Sequence, residues 1–167
     1  MDADLRSPST KSTLGITQAS VGLGEYLSGE VNKIHFLRYQ DTSLYLFAGD
    51  EAITDPSTIL RREVLEKIMG PLRDMFDYVI LDTPPCEMMA DAVTIGAYAD
   101  KVIYVIREDY APVSRICDCV QSLSDSGANV CGYVLNRTST KGSSHYGYGY
   151  GYGKYGYGYD RSKQGRS

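Results

Sequence analysis

Two carboxylates stand two residues apart in Asp2-Ala-Asp4-Leu-Arg6, and a third, Asp82, closes the apolar run Tyr78-Val-Ile-Leu81. In an extended chain, side chains two residues apart point the same way. Asp2 and Asp4 can share a metal ion, or divide metal binding and proton transfer between them; a solvated loop is the plain alternative. A continuous apolar run reads as a strand buried on both sheet faces. An aspartate at the tip of such a strand is held rigidly, where it can bind Mg²⁺ directly or through water. Many strands end in aspartate, but the Thr83-Pro84-Pro85 that follows narrows the reading.

A different chemistry sits near the C-terminus. Tyr146, Tyr148, Tyr150, Tyr152, Tyr155, Tyr157 and Tyr159 alternate with glycine, broken once by Lys154. Glycine at every second position is costly to order, and no branched aliphatic residue offsets that cost. The stretch predicts a tail offering phenolic hydroxyls to solvent, as a modifying enzyme needs. Asn136 and Arg107 each end an apolar run. Asn136 is either a base-reading amide or a turn residue. Arg6 and Arg107 are either phosphate contacts or solvated surface.

The elements that would position these residues are legible in outline. Gly24–Gly29 reads as a short helix with glycine at each end, and Leu44–Phe47 as a strand. Asp55 with Pro56 predicts a helix start. Leu60, Val64, Ile68, Met69 and Leu72 continue it at helical spacing, with Gly70-Pro71 as a candidate break. A helix over Ala90–Tyr98 leads to a strand Val102–Ile106. Pro112 and Gly127 bracket another helix, and Val130–Leu135 is the last strand. This alternation predicts an α/β fold, a parallel sheet with helices on both faces. Ligands bind such sheets at the carboxyl ends of the strands, where Asp2, Asp4, Asp82 and Asn136 fall. Residues 1–137 form the expected domain, and 138–167 a linker and tyrosine-rich tail.

The 167 residues carry a net charge of −4, unevenly spread. Residues 137–167 hold +5 and the rest −9. An acidic body with a basic tail excludes the folded basic face of a nucleic-acid binder. Cys86, Cys117, Cys119 and Cys131 form no C-x-x-C pair and have no histidine beside them, which argues against zinc. Without a signal peptide, reduced cytoplasmic thiols are the default expectation. The apolar run Val102–Ile106 is too short to cross a membrane.

Taken together, the motifs resemble the bacterial tyrosine kinases of capsule and exopolysaccharide synthesis. Asp2-Ala-Asp4-Leu-Arg6-Ser-Pro8 resembles that family's Walker A′ motif, and Asp82-Thr-Pro-Pro85 its Walker B. Gly24–Gly29, Ala48-Gly49 with Asp55-Pro56-Ser57, and Gly132–Arg137 match intervening landmarks, and the tyrosine cluster is the family's C-terminal hallmark. The resemblance implies a P-loop NTPase-like, Min/Par-related fold and ATP and Mg²⁺ as cofactors. It implies that Asp4 and Asp82 hold Mg²⁺, that Asp2 assists the metal or accepts the phenol proton, and that Asn136 reads adenine. Arg6 and Arg107 would contact phosphate, and the seven tail tyrosines would be autophosphorylated. Implied partners are a membrane polysaccharide co-polymerase or adaptor, further copies of the kinase domain, and a tyrosine phosphatase. A peripheral position at the inner membrane face would follow through the adaptor.

The family's phosphate loop precedes Walker A′, and no equivalent occurs within these residues. Thr10-Lys11-Ser12-Thr13 has no glycine at the required spacing, and Gly22-Leu-Gly24 follows no strand. The resemblance is therefore to the part of the kinase domain from Walker A′ onward. Loss of the phosphate-loop strand should leave the groups beside Tyr78–Leu81 unpaired, or force the sheet to close up. Weak ATP binding by the chain alone is the expectation. Two rival readings are a Min/Par-like ATPase and a non-enzymatic module phosphorylated in trans.

Overall fold

The computed structural model describes residues 1–86 and 90–138. The tail tyrosines lie outside the described residues. Near the N-terminus come α1 (Thr10–Thr13) and α2 (Leu23–Ser28), then β1 (Leu37–Arg38) and β2 (Tyr45–Leu46), an antiparallel pair. Then follow α3 (Arg62–Met75), α4 (Ala90–Gly96), β3 (Val102–Arg107), α5 (Val113–Asp125) and β4 (Val130–Asn136). The architecture is the expected α/β one, with β3 and β4 parallel.

The first residues lie inside the sheet. Asp2 N donates to Phe47 O (3.0 Å) on one side. On the other, Ala3 N donates to Asp82 O (2.7 Å), Asp82 N to Met1 O (3.0 Å), and the Met1 nitrogen to Ile80 O (2.7 Å). Met1–Ala3 thus runs parallel to Ile80–Asp82, with Asp2 opposite Asp82.

The core forms where α3 covers this layer. Leu65, Ile68, Met69 and Leu72 make one apolar stripe at helical spacing, buried with Ala3, Leu5, Leu23, Phe47, Leu60 and Ile95. Two expectations about this helix are corrected. Asp55-Pro56 opens only a 3₁₀ turn, Pro56–Thr58, and α3 begins at Arg62. The Asp55 carboxylate accepts from the Ser57 hydroxyl instead of capping the turn's backbone. Nor does Gly70-Pro71 break the helix, since Pro71 lies inside α3. Its ring sits on the exposed side, where one missing hydrogen bond costs least.

Gly22 and Gly49 show where glycine is needed for close approach. A Cβ at Gly22 would lie 2.0 Å from Gly49 N. The start of α2 therefore presses directly on the chain leaving β2. Glu25 closes the contact by accepting from Gly22 N (3.1 Å).

A further expectation is corrected at the run that ends in Asp82. Tyr78–Leu81 is not buried on both faces. Val79 and Leu81 pack against the core, whereas Tyr78 is 90% and Ile80 76% exposed. Among the described residues, no backbone bond joins this stretch to β3. The sheet has not closed up; it is split, with an unpaired edge on each side of the division.

Candidate active site

The Met1–Ala3 pairing places Asp2 and Asp82 side by side, and the loop after Ala3 brings Asp4 beside them. Asp2 is buried, and both its carboxylate oxygens accept from backbone. Its Oδ2 accepts from Ser9 N and Thr10 N (both 3.0 Å), and its Oδ1 from Asp4 N (3.2 Å). Through these bonds Asp2 folds the loop back and starts α1. Asp4 Oδ1 accepts from Arg6 N (3.2 Å) and Ser7 N (3.0 Å), which turns the chain sharply after it.

Asp82 emerges from its strand toward this loop, and the Thr10 hydroxyl donates to its Oδ2 (3.3 Å). Partial desolvation pushes the Asp82 carboxyl above the usual carboxylate range, and the Asp2 and Asp4 carboxylates push it further. The Thr10 bond opposes this only in part. A carboxylate crowded by others is where a hard cation gains most. Among the described residues, no three acidic, histidine or cysteine side chains converge to form a complete metal cage. Two carboxylates suffice for Mg²⁺, which keeps several waters and completes its octahedron with substrate phosphates.

Two ion pairs that sequence spacing could not reveal hold this loop in place. Lys11 is buried, and its ammonium meets the Asp50 carboxylate at 2.5 Å. Arg6 Nε donates to Asp91 Oδ2 (2.9 Å), and Arg6 Nη1 lies 3.5 Å from Thr54 O. Asp91 is itself buried. Arg6, expected at a phosphate, thus ties the Asp4 loop to α4. Thr10, whose segment lacks the glycine of a phosphate loop, is the hydroxyl that meets Asp82.

The other expected residues form a second group. Arg107 and Asn136 are direct partners at the carboxyl ends of β3 and β4. The Arg107 guanidinium lies 4.8 Å from the centre of the Tyr110 ring, a cation–π contact. Asn136 Oδ1 accepts from Arg137 N (2.8 Å), and its carbonyl accepts from Glu108 N (3.0 Å). Asn136 thus ends β4 with its side-chain oxygen held by the next residue's backbone, and its amide nitrogen lies outside those bonds. The structure brings Asp2, Asp4 and Asp82 together, and Arg107 with Asn136; the split in the sheet lies between the two groups.

A parallel α/β layer with acidic residues at its strand tips is the pattern of P-loop NTPase-like proteins, and solved structures bear this out. The kinase domain of Escherichia coli tyrosine kinase Etk superposes with a TM-score of 0.76 at 26% identity, over 89% of this chain and 58% of that one. The VpsO kinase domain gives 0.72 at 25% identity. MinD of Pyrococcus horikoshii, solved with Mg-ADP, shares the fold with a TM-score of 0.64 at 18% identity. No protein-family model matches the chain.

Among curated proteins, a Klebsiella pneumoniae protein named for a tyrosine-protein kinase in the cps region is 32% identical over 148 residues. CpsD of Streptococcus pneumoniae serotype 4, named a tyrosine-protein kinase, is 30% identical over 140. The homologues that cover most of this chain are bacterial tyrosine-protein kinases, among them capsule-region proteins, and its structural neighbours include kinase domains of that family. Matches cover 88% and 82% of this chain, but only 20% of the Klebsiella protein and 61% of CpsD. Among the described residues, no helix is long and apolar enough to cross a membrane.

Proposed function

We propose that the chain carries the metal-binding and base-reading parts of an ATP- and Mg²⁺-dependent protein-tyrosine kinase site that regulates capsular or exopolysaccharide synthesis. The supporting observation is the parallel pairing of Asp2 with Asp82, which sets the two acidic motifs side by side. Asp4 and Asp82 would hold Mg²⁺, which would neutralise charge on the transferred phosphoryl group. Asp2 serves as the organiser of the loop, because its oxygens already accept three backbone donors. Asn136 would read the adenine edge through its amide, with Arg107 beside it.

The acceptors would be Tyr146, Tyr148, Tyr150, Tyr152, Tyr155, Tyr157 and Tyr159. The phenolic oxygen bonds to the γ-phosphorus, the bond to ADP breaks, and the phenol proton passes to a carboxylate of the acidic cluster. That transfer needs a base nearby, since a free phenol has a pKa of about 10. In this reading the chain works beside a membrane polysaccharide co-polymerase or adaptor, with further kinase-domain copies and a tyrosine phosphatase.

No phosphate loop lies within the 167 residues. We therefore expect the isolated polypeptide to bind Mg·ATP weakly and to be phosphorylated in trans. The test is calorimetry of the purified chain with Mg·ATP, then incubation with the Etk kinase domain and labelled ATP. Label appearing in the tail only with Etk present supports the reading. Micromolar Mg·ATP affinity of the chain alone overturns the weak-binding part, and absence of tail label overturns the acceptor part.

A further inference from the structure

Strand β4 is paired on one side only. In a strand, each residue turns its N–H and C=O to the same side, and neighbours alternate. Asn136 O accepts from Glu108 N (3.0 Å), so Asn136 faces β3, and Val134 does the same two residues earlier. Tyr133 and Leu135 therefore turn their backbone groups away from β3. Among the described residues, no backbone bond meets β4 on that outer side. Natural sheets guard such edges with charges, prolines or very short strands. β4 is Val-Cys-Gly-Tyr-Val-Leu-Asn, seven residues with neither a charge nor a proline. Its register shift lies at the other end, beside Val102 and Ile103.

The side chains at this edge are bare as well. Tyr133 is 58% and Leu135 56% exposed, and the two point to one face. The Tyr133 ring meets the Tyr104 ring edge to face, with centroids 6.3 Å apart. An open edge beside aromatic and aliphatic side chains is the kind of surface that accepts an added strand. Main-chain bonds hold such a strand, and its alternate side chains select it.

We propose that the occupant is this chain's own run Tyr146–Tyr152, which adds to β4 as an antiparallel strand and so withholds its tyrosines from modification. The chain bends at Arg137 (φ 55°) directly after β4, so the residues that follow start at this edge. Residues 138–144 are long enough to reverse direction, and Tyr146–Tyr152 then matches β4 in length. Tyrosine at every second position fits the pleat: all four rings fall on the face of Tyr133 and Leu135, and the glycines on the other. Charge favours the contact too, since residues 137–167 hold +5 and the rest −9. Lys154 breaks the period, so Tyr155, Tyr157 and Tyr159 would fall on the opposite face of a continued strand and stay outside the docked run. Ordering alternate glycines is costly, which keeps the docking reversible. A phosphate on a docked tyrosine adds roughly −1.5 to −2 charges beside an acidic body, and ejects the strand. The order of modification rests on the tyrosine-acceptor reading above; the docking does not.

The experiment measures hydrogen exchange at the Tyr133 and Leu135 amides in the full 167-residue chain by nuclear magnetic resonance, without nucleotide. Replacing Tyr146, Tyr148, Tyr150 and Tyr152 together by serine should speed that exchange about tenfold, and replacing them by glutamate should do the same. Replacing them by phenylalanine should leave it slow, because the rings and not the hydroxyls make the contact. Leu135→Lys, at an exposed position, should expose the Tyr133 amide in the otherwise unaltered chain. Equal exchange in the wild type and the serine variant overturns the inference. So does protection that disappears on dilution together with a dimer, since a second copy would then hold the edge. Incubation with the Etk kinase domain and labelled ATP tests the order: Tyr155, Tyr157 and Tyr159 should be labelled before Tyr146–Tyr152. Equal rates at all seven with the amides still protected overturn the withholding. No label at any tyrosine removes the acceptor reading instead, and leaves the docking to stand on the exchange data.

Discussion

Lys11 is buried 39 residues away in sequence from the half-exposed Asp50 whose carboxylate holds its ammonium. The pair joins the helix after the acidic loop to the chain leaving β2, where Asp50 also accepts from Ser20 N (3.0 Å). Removing one partner strands a buried charge. Asp50→Ala should cost about 1–2 kcal/mol, below the roughly 3–5 kcal/mol of a fully buried pair because water screens Asp50. Adding Lys11→Met should recover part of the loss. Urea midpoints of the two variants and the double variant measure this.

The same pair sets a pH dependence. The Lys11 hydrogen bond, then the Ser20 N–H, hold the Asp50 carboxyl below its ordinary value. A carboxyl depressed by folding stabilises the fold above its unfolded pKa, and the contribution fades as pH falls through the folded value. Acid titration should therefore erode wild-type stability below about pH 4 more steeply than that of Asp50→Asn. Equal slopes would show that the pair does not couple to folding.

Asp82 behaves in the opposite sense. Its carboxyl is raised, first by desolvation and then by Asp2. Its contribution is present below the unfolded pKa and is lost as pH rises through the folded one. At neutral pH Asp82→Asn should therefore melt slightly higher, by about 1–3 °C. Millimolar Mg²⁺ should narrow the melting difference by stabilising only the wild type. Calorimetric scans with and without Mg²⁺ test it, and a lower melting point for Asp82→Asn would reverse the reading.

Arg6 has two candidate jobs, separable by stability. If it ties the loop to α4, Arg6→Ala leaves buried Asp91 without its partner and costs about 2–3 kcal/mol. Arg6→Lys should restore little of this, because an ammonium lacks the directed guanidinium fork. A pure phosphate contact would leave the melting point of the nucleotide-free chain unchanged.

The tail should act as a charge switch. Each phosphotyrosine adds roughly −1.5 to −2 charges, so seven add about −10 to −14. The +5 of residues 137–167 would turn negative beside the acidic remainder. Phosphorylated chain should shift toward smaller assemblies in the full kinase system, and the sevenfold Tyr→Phe variant should not respond. Identical size distributions by light scattering would end the idea.

What the sequence made legible follows from the range of the forces involved. Helix α5 was readable because Pro112 and Gly127 act locally: Pro112 precedes it, and Gly127 takes φ 86° just beyond it. The acidic residues were readable because their spacing and their place at strand ends are local too. The Lys11–Asp50 and Arg6–Asp91 pairs join residues 39 and 85 apart, and no spacing pattern announces them. The α3 start was misjudged because Asp55-Pro56 suits a 3₁₀ turn as well as a helix. Tyr78–Leu81 reads as buried on both faces because an apolar run records what a strand is built for, not which neighbours are beside it.

Met1–Ala3 is bonded on both flanks, to residues near 47 and near 82. Met1–Ala3 is thus placed by residues that lie much later in the chain. Closing a loop of some eighty residues costs entropy before any local contact repays it, and such non-local pairing slows folding. The acidic loop therefore cannot reach its working shape during synthesis until Asp82 has left the ribosome.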